Sequence, residues 1–268
     1  MSVTLWGVHG SVPKSGLLTS EYGCATSCYE VTYGSKSLIC DAGTGLVALG
    51  QKLLQDETTE IDIALTHFHV DHVMGLPFFA PLFEKGVKIR FFADEKVLAY
   101  SVEEMMHQLF AQPFLPIDIN AIQADLSFHD LSEAAVHNVG DATIECLELC
   151  HPGGNTAFRI SHKGKNIVYS GDFSHRDADQ MSELTAWMNN ADLGIVETTF
   201  TPQNYEPHKS FGHTHWRAAG EIAADAKMWL GVHHHHLADD HTLGLADQDL
   251  RATFPNGKLG KDGQTFWL

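Results

Sequence analysis

Three features of the sequence point to a single layered α/β domain. Segments rich in β-branched and aromatic residues alternate with segments of helical apolar spacing along the whole chain. No internal repeat, low-complexity linker or compositional break divides residues 1–268. Ionisable residues recur just after strand-like runs, where the strands of layered α/β proteins open onto a shared crevice.

The elements follow in order. "VTLWGV" (3–8), "CYEVTYG" (28–34) and "KSLICDAG" (36–43) read as early strands punctuated by glycine. "LVALGQKLLQ" (46–55) has helical spacing, and the strand "IDIALT" (61–66) runs straight into "HFHVDH". A strand at "VKIRFFA" (87–93) precedes one helix over 97–110, and strands follow at 142–149, 156–161 and 165–172. The last third gives a strand at 193–198, a helix over 215–226, the strand "KMWLGV" (227–232) and a final helix near 243–252.

The chain is 44% hydrophobic and 19% charged, enough for one domain with a substantial core. No run of eighteen apolar residues occurs, and the first residues lack the basic and apolar regions of a secretion signal, so the expectation is a cytoplasmic chain without a membrane partner. Cys24, Cys28, Cys40, Cys146 and Cys150 form an odd set with no CxxC pair, which disfavours a disulfide framework or zinc ribbon and predicts reduced, mostly buried thiols. A net charge of -17 argues against broad nucleic-acid binding, which needs a basic surface to displace counterions. A small anionic substrate stays compatible, because bound divalent cations invert the local sign. Both a monomer and a homodimer fit this composition.

The 18 histidines are an excess that is organised in space. "THFHVDH" supplies His67, His69, Asp71 and His72. Two histidines one residue apart in an extended loop can converge on one metal, while an Asp and a His at the start of a following helix can face a second ion a few ångströms away. His151, Asp172 and His233 each stand at or just after the end of a predicted strand. Imidazole beside carboxylate suits Zn²⁺, with Mn²⁺ or Fe²⁺ as alternatives.

With these residues in hand, the chain resembles the metallo-β-lactamase superfamily. "HFHVDH" matches its H-x-H-x-D-H motif, and "CHPGG", "YSGDFSH" and "WLGVHH" match the later motifs in order. The resemblance implies a four-layered αββα sandwich. It implies two divalent ions, with His67, His69 and His151 on the first, Asp71, His72 and His233 on the second, and the Asp172 carboxylate shared. "LWGVHGSVP", "CDAGTGL", "GLPFFAPLF" and "FGHTHW" resemble a bacterial branch related to ribonuclease Z and to phosphodiesterase-like members, with His9 where that branch carries Arg. By this resemblance His213 acts on the phosphate and Asp41 orients a metal-binding histidine or the backbone near the site; Glu197, at the strand end in "IVETTF", is expected to orient a neighbour of the site, with a structural salt bridge as the other reading.

The run "HHHH" (233–236) follows an apolar strand and leads into an acidic turn, so it belongs to the protein rather than to a terminal affinity tag. His233 is the expected ligand and His234 its supporting neighbour, with His235 and His236 expected on the surface. The roles of His175 and His215 stay open, and His107, His129, His137 and His162 match no motif.

The reaction implied is hydrolysis of a phosphodiester, a cyclic nucleotide or another small diester, by a hydroxide shared between two ions. Asp71 would orient that hydroxide, and His213 would protonate or stabilise the leaving oxygen. A lactone, ester or thioester hydrolase on the same ligands is the enzymatic alternative, and a metal-binding sensor without turnover is the non-enzymatic one.

Overall fold

The computed structural model describes residues 1–268 and contains two seven-stranded sheets packed face to face with helices on both outer surfaces. The strands of the first sheet are β1 (Ser2–Gly7), β2 (Cys28–Tyr33), β3 (Lys36–Cys40), β4 (Glu60–Ala64), β5 (Lys88–Ala93) and β6 (Asp125–Asp130). Those of the second are β7 (His137–Val139), β8 (Ala142–Glu148), β9 (Thr156–His162), β10 (Lys165–Tyr169), β11 (Leu193–Glu197), β12 (Trp229–Val232) and β13 (Gly257–Leu259). The final strand β14 (Thr265–Trp267) returns to the first sheet and pairs antiparallel with β1. The orders are β14-β1-β2-β3-β4-β5-β6 and β13-β12-β11-β10-β9-β8-β7.

Period-two patterning explains the layering. On β3, Leu38 and Cys40 enter the core between the sheets, while Ile39 faces outward to α1 (Gly45–Gln55). On β10, Ile167 and Tyr169 face that central core and Val168 faces the other outer layer. The result is three apolar interiors, one between the sheets and one beneath each helical layer, which is the expected αββα sandwich. Each fully buried Leu, Ile or Phe in them contributes roughly 1.5–3 kcal/mol.

After α1 come α2 (Val70–Val73), α3 (Glu95–Leu98) and α4 (Val102–Leu109) on the first sheet's side. The single helix expected over 97–110 is two helices. Ala99 takes a left-handed conformation at φ 51°, and Ser101 then caps α4 by exchanging hydrogen bonds with Glu104. The second sheet is covered by α5 (Ala178–Met188), α6 (Trp216–Ile222) and α7 (Asp240–Thr253). Strands β6, β7, β13 and β14 and helix α5 were not foreseen. The short edge strands of three residues carry too little pattern to be read, and α5 carries little apolar periodicity.

The cysteines correct one expectation: all five are free, but only Cys28 and Cys40 are buried, with Cys24 and Cys150 exposed. No helix is long and apolar enough to cross a membrane.

Sheet direction positions the site. β10, β11 and β12 are parallel to one another, and β8 runs the same way because both it and β10 are antiparallel to β9. The carboxyl ends of β8, β10, β11 and β12 therefore share one rim, and the loops after β3 and β4 of the facing sheet meet it.

Candidate metal centre

The seven residues come together at this rim. The loop after β4 carries His67, His69 stands at the residue before α2, and Asp71 and His72 lie within that short helix. His151 follows β8, Asp172 follows β10 and His233 follows β12. Donor atoms of His67, His69 and His151 lie within 4.8 Å of one another, as do those of Asp71, His72, Asp172 and His233. The Asp172 Oδ2 atom stands between the groups, 3.7 Å from His67 Nε2, 3.4 Å from His72 Nε2 and 3.1 Å from His233 Nε2.

Hydrogen bonds on the far side of the rings fix which nitrogen faces inward. His151 Nδ1 donates to the Gly212 carbonyl at 2.8 Å and His72 Nδ1 to Asp41 Oδ2 at 2.8 Å, which leaves each Nε2 with a free lone pair. The Thr199 hydroxyl gives its proton to the His233 carbonyl, so it accepts from His233 Nδ1 at 2.8 Å and turns that ring's Nε2 inward too.

Asp41 lies directly behind His72. It is fully buried at φ 61°, and besides His72 it accepts the Thr66 backbone N–H, the Thr66 hydroxyl and the Tyr169 hydroxyl. Tyr169 reaches it from the opposite sheet, so this carboxylate ties the two sheets together directly behind a candidate ligand.

The donor set fits divalent cations. His67 Nε2 and His72 Nε2 are buried with no hydrogen-bond partner, an arrangement whose cost a metal bond removes. Charge agrees with this. Burial opposes a charge on His72, yet Asp172, Asp71 and Asp41 favour positive charge there strongly enough to hold its pKa well above the usual histidine range, and a bound cation would supply that charge in place of the Nε2 proton. His151 is pushed down to about 4 by burial, so its imidazole is neutral, the form that binds a metal.

Close packing enforces the geometry at two glycines. A Cβ on Gly10 would stand 2.1 Å from the His233 ring, and one on Gly171, which has φ 57°, would stand 2.2 Å from the Asn155 side-chain oxygen that accepts the Asp172 N–H. His233 itself sits at φ 59°, a strained conformation for a histidine that the surrounding contacts must maintain.

A third group flanks these two. Glu197 ends β11 fully buried, and its carboxylate accepts from His213 Nδ1 at 2.9 Å and from the backbone N–H groups of Thr199 and Thr214. His213 Nδ1 also lies 3.7 Å from Asp172 Oδ2. Burial works against a charge on His213, but the bond to Glu197 and the nearby Asp172 and Asp71 carry its pKa up to about 9. Asp71 accepts the Ser11 N–H at 2.6 Å, and although burial opposes ionisation, His72 and His233 hold its carboxyl well below the usual range.

The remaining histidines sort differently from expectation. The ring of His234 is buried, donates to the Gly260 carbonyl and packs edge-on against His9 and Tyr22, so it bonds to none of the seven side chains. Its backbone pairs with Val8 and Gly10, which carries its support to the site through the chain rather than the ring. His235 and His236 are not surface residues: they are half-buried, stacked at 4.5 Å, and line a cavity beside His213. His175 bonds the Thr214 hydroxyl, and His215 caps α6 by accepting the Ala218 N–H. The supporting roles of Thr66, Tyr169 and Thr199 were not read from the sequence. Adjacency to "HFHVDH", "SGD" and Glu197 was the one signal available.

The β-lactamase superfamily domain profile matches residues 36–253. Among curated proteins, cleavage and polyadenylation specificity factor subunit 3-I of Arabidopsis thaliana is 26% identical over 190 residues, covering 65% of this chain and 26% of that protein. Endoribonuclease YSH1 of Mycosarcoma maydis is 27% identical over 207 residues, covering 70% and 23%. The chain thus spans about a quarter of the length of these relatives. Among solved structures, the metallo-β-lactamase fold protein YhfI of Bacillus subtilis superposes with a TM-score of 0.75 at 22% identity, covering 99% of this chain and 98% of that one. A diphosphatase of the PhnP family follows at 0.71 and 18%, covering 100% and 97%, and the short form of human tRNase Z at 0.68 and 18%, covering 100% and 99%.

Proposed function

Because the chain belongs to the β-lactamase superfamily, we propose that it is a metal-dependent hydrolase of a small phosphodiester. The observation that carries the reading is the Glu197–His213 pair, which places a protonated imidazole beside the Asp172 carboxylate that the two donor groups share. A general acid also serves an ester or lactam hydrolase, but only the phosphodiester transition state carries negative charge on two non-bridging oxygens, which a cationic imidazole stabilises as well as protonating the leaving oxygen.

His67, His69 and His151 would hold one ion and Asp71, His72 and His233 the other, with Asp172 common to both. Bound divalent ions, Zn²⁺ before Mn²⁺ or Fe²⁺, supply Lewis-acid charge for the phosphoryl oxygens and make water a nucleophile near neutral pH. The protein's own groups do the rest. Asp71, kept ionised and fixed by the Ser11 N–H, accepts a hydrogen bond from the attacking water and so aims its lone pair. His213 gives Nδ1–H to Glu197, so Nε2–H is the proton available to the leaving oxygen. Glu197, tethered by Thr199 and Thr214, holds the imidazole in orientation and keeps its charge.

Support for a small diester rather than a long nucleic acid comes from the net charge of -17, which leaves little basic surface for a polyanion. The nucleases and the diphosphatase among the similar proteins act at phosphorus–oxygen bonds, in keeping with this choice of bond. The test is a substrate panel of bis-p-nitrophenyl phosphate, cyclic nucleotides, lactones and thioesters with the metal-loaded protein. Diester turnover supports the reading, and turnover confined to lactones or thioesters overturns it.

A further inference from the structure

A cavity of about 560 Å³ opens beside His213 and takes no part in the chemistry described above. Its size suits a drug-sized or nucleoside-sized group. His213, Thr199 and Ser11 form its boundary with the metal centre. Away from that boundary the walls are flat. Phe200 and His208 stack with centroids 5.0 Å apart and planes within 13°, and His235 and His236 stack at 4.5 Å within 24°. Phe200 and His235 approach to 5.4 Å, joining the two stacks into one aromatic surface.

The composition of the lining excludes some occupants. No Lys, Arg, Asp or Glu lines the cavity, so it has no counter-ion for a second phosphate or for a cationic group. An aliphatic chain would not use the edge groups: Thr198, Thr201 and Thr242 donate their hydroxyl protons to Val232, Asn204 and Asp239 and keep lone pairs to accept with, and Asn204 keeps its amide N–H donors, among apolar side chains such as Trp216 and Leu243. Flat aromatic faces combined with neutral hydrogen-bonding edges match an uncharged heteroaromatic ring, whose faces stack while its rim exchanges hydrogen bonds.

We propose that this cavity is a base-binding subsite, in which the Phe200–His208 and His235–His236 stacks receive a nucleobase-like ring while its attached phosphodiester lies against His213. This rests on the diester reading and narrows it to substrates in which the scissile phosphorus is one sugar-length from a heteroaromatic ring. It also gives the two outer members of the histidine run a task that surface placement would not.

Binding of adenosine 5′-monophosphate and of methyl phosphate to the zinc-loaded protein, measured by isothermal titration calorimetry, separates the ring's contribution from the anion's. The nucleotide should bind at least about fivefold more tightly, the low end expected for base–aromatic stacking. That preference should collapse toward unity in His236→Ala, in His208→Ala and in Ala246→Leu, which fills the cavity without removing a stack. Equal affinities in the parent protein, or a preference that survives all three substitutions, would overturn the subsite. Hydrolysis of bis-p-nitrophenyl phosphate in the same preparations reads the reaction separately: nucleotide preference without diester turnover would sustain the ring site and dismiss the diester chemistry.

Discussion

Replacing Glu197 with Gln keeps the size of the side chain but removes the charge that His213 leans on, and the structure gives the magnitude. His213 rises from the ordinary 6.5 to about 9 chiefly through its hydrogen bond to Glu197 and that carboxylate's charge, against the opposing effect of burial. If the substitution returns it toward 6.5, the protonated fraction at about pH 8 falls from roughly nine-tenths to about 3%, a loss of about 30-fold in the acid form. At about pH 5.5 both proteins are fully protonated and the difference should vanish. Bound cations lower both values together, which moves this window to lower pH and keeps the separation between the two proteins, so the displacement between their pH profiles reads the Glu197 contribution. The assay is kcat/KM for a diester with an alkyl leaving group across this range, with metal content checked in each preparation. A defect of the same size at every pH, or no defect at about pH 8, would refute proton donation by a Glu197-supported His213.

Other outcomes follow from the same geometry. His213→Ala should retain both metals and lose about 100-fold or more in alkyl diester turnover, with a smaller loss for a p-nitrophenyl diester whose leaving group needs little protonation. Asp172→Ala should release most of the bound metal by elemental analysis, because its Oδ2 atom lies between both donor groups. Gly10→Ala should lower metal content to about one ion per chain with the fold intact by circular dichroism, since the new methyl group would collide with His233. Stability should fall in acid. Burial pushes His9 down to about 4 and His234 to about 3 from an unfolded value near 6.5, so both rings are neutral in the fold while the unfolded chain takes up protons. Their contribution is complete above about pH 6.5 and is lost as pH falls toward 4, by a few kcal/mol, and urea unfolding of His9→Leu should show a shallower acid slope than the parent protein.

Much of this site was legible because metal ligation forces residue types into fixed local spacing. His67, His69, Asp71 and His72 fall within six residues, and the other candidate ligands stand at strand ends that β-branched patterning marks. What was not legible depends on contacts between segments far apart in sequence. Tyr169 reaches Asp41 only because two sheets pack face to face, and the fate of His235 and His236 depends on Phe200 and His208, which come from a different loop. His234 shows the limit of reasoning from adjacency: next to a candidate ligand, its ring turns the opposite way to meet His9 and Gly260. In the fold, short edge strands such as β13 and β14 owe their existence to neighbours rather than to their own three residues. Likewise, one apolar helical stretch became α3 and α4 because Ser101 and Glu104 form a cap that apolar spacing does not register.

For a two-ion centre that cleaves a phosphodiester, a metal titration is decisive. Protein stripped of metal by chelator should be inactive toward bis-p-nitrophenyl phosphate, and activity should return with added Zn²⁺ until about two ions are bound per chain. A well-folded chain that saturates at one ion or none, or that binds two and leaves every phosphodiester intact, would contradict it.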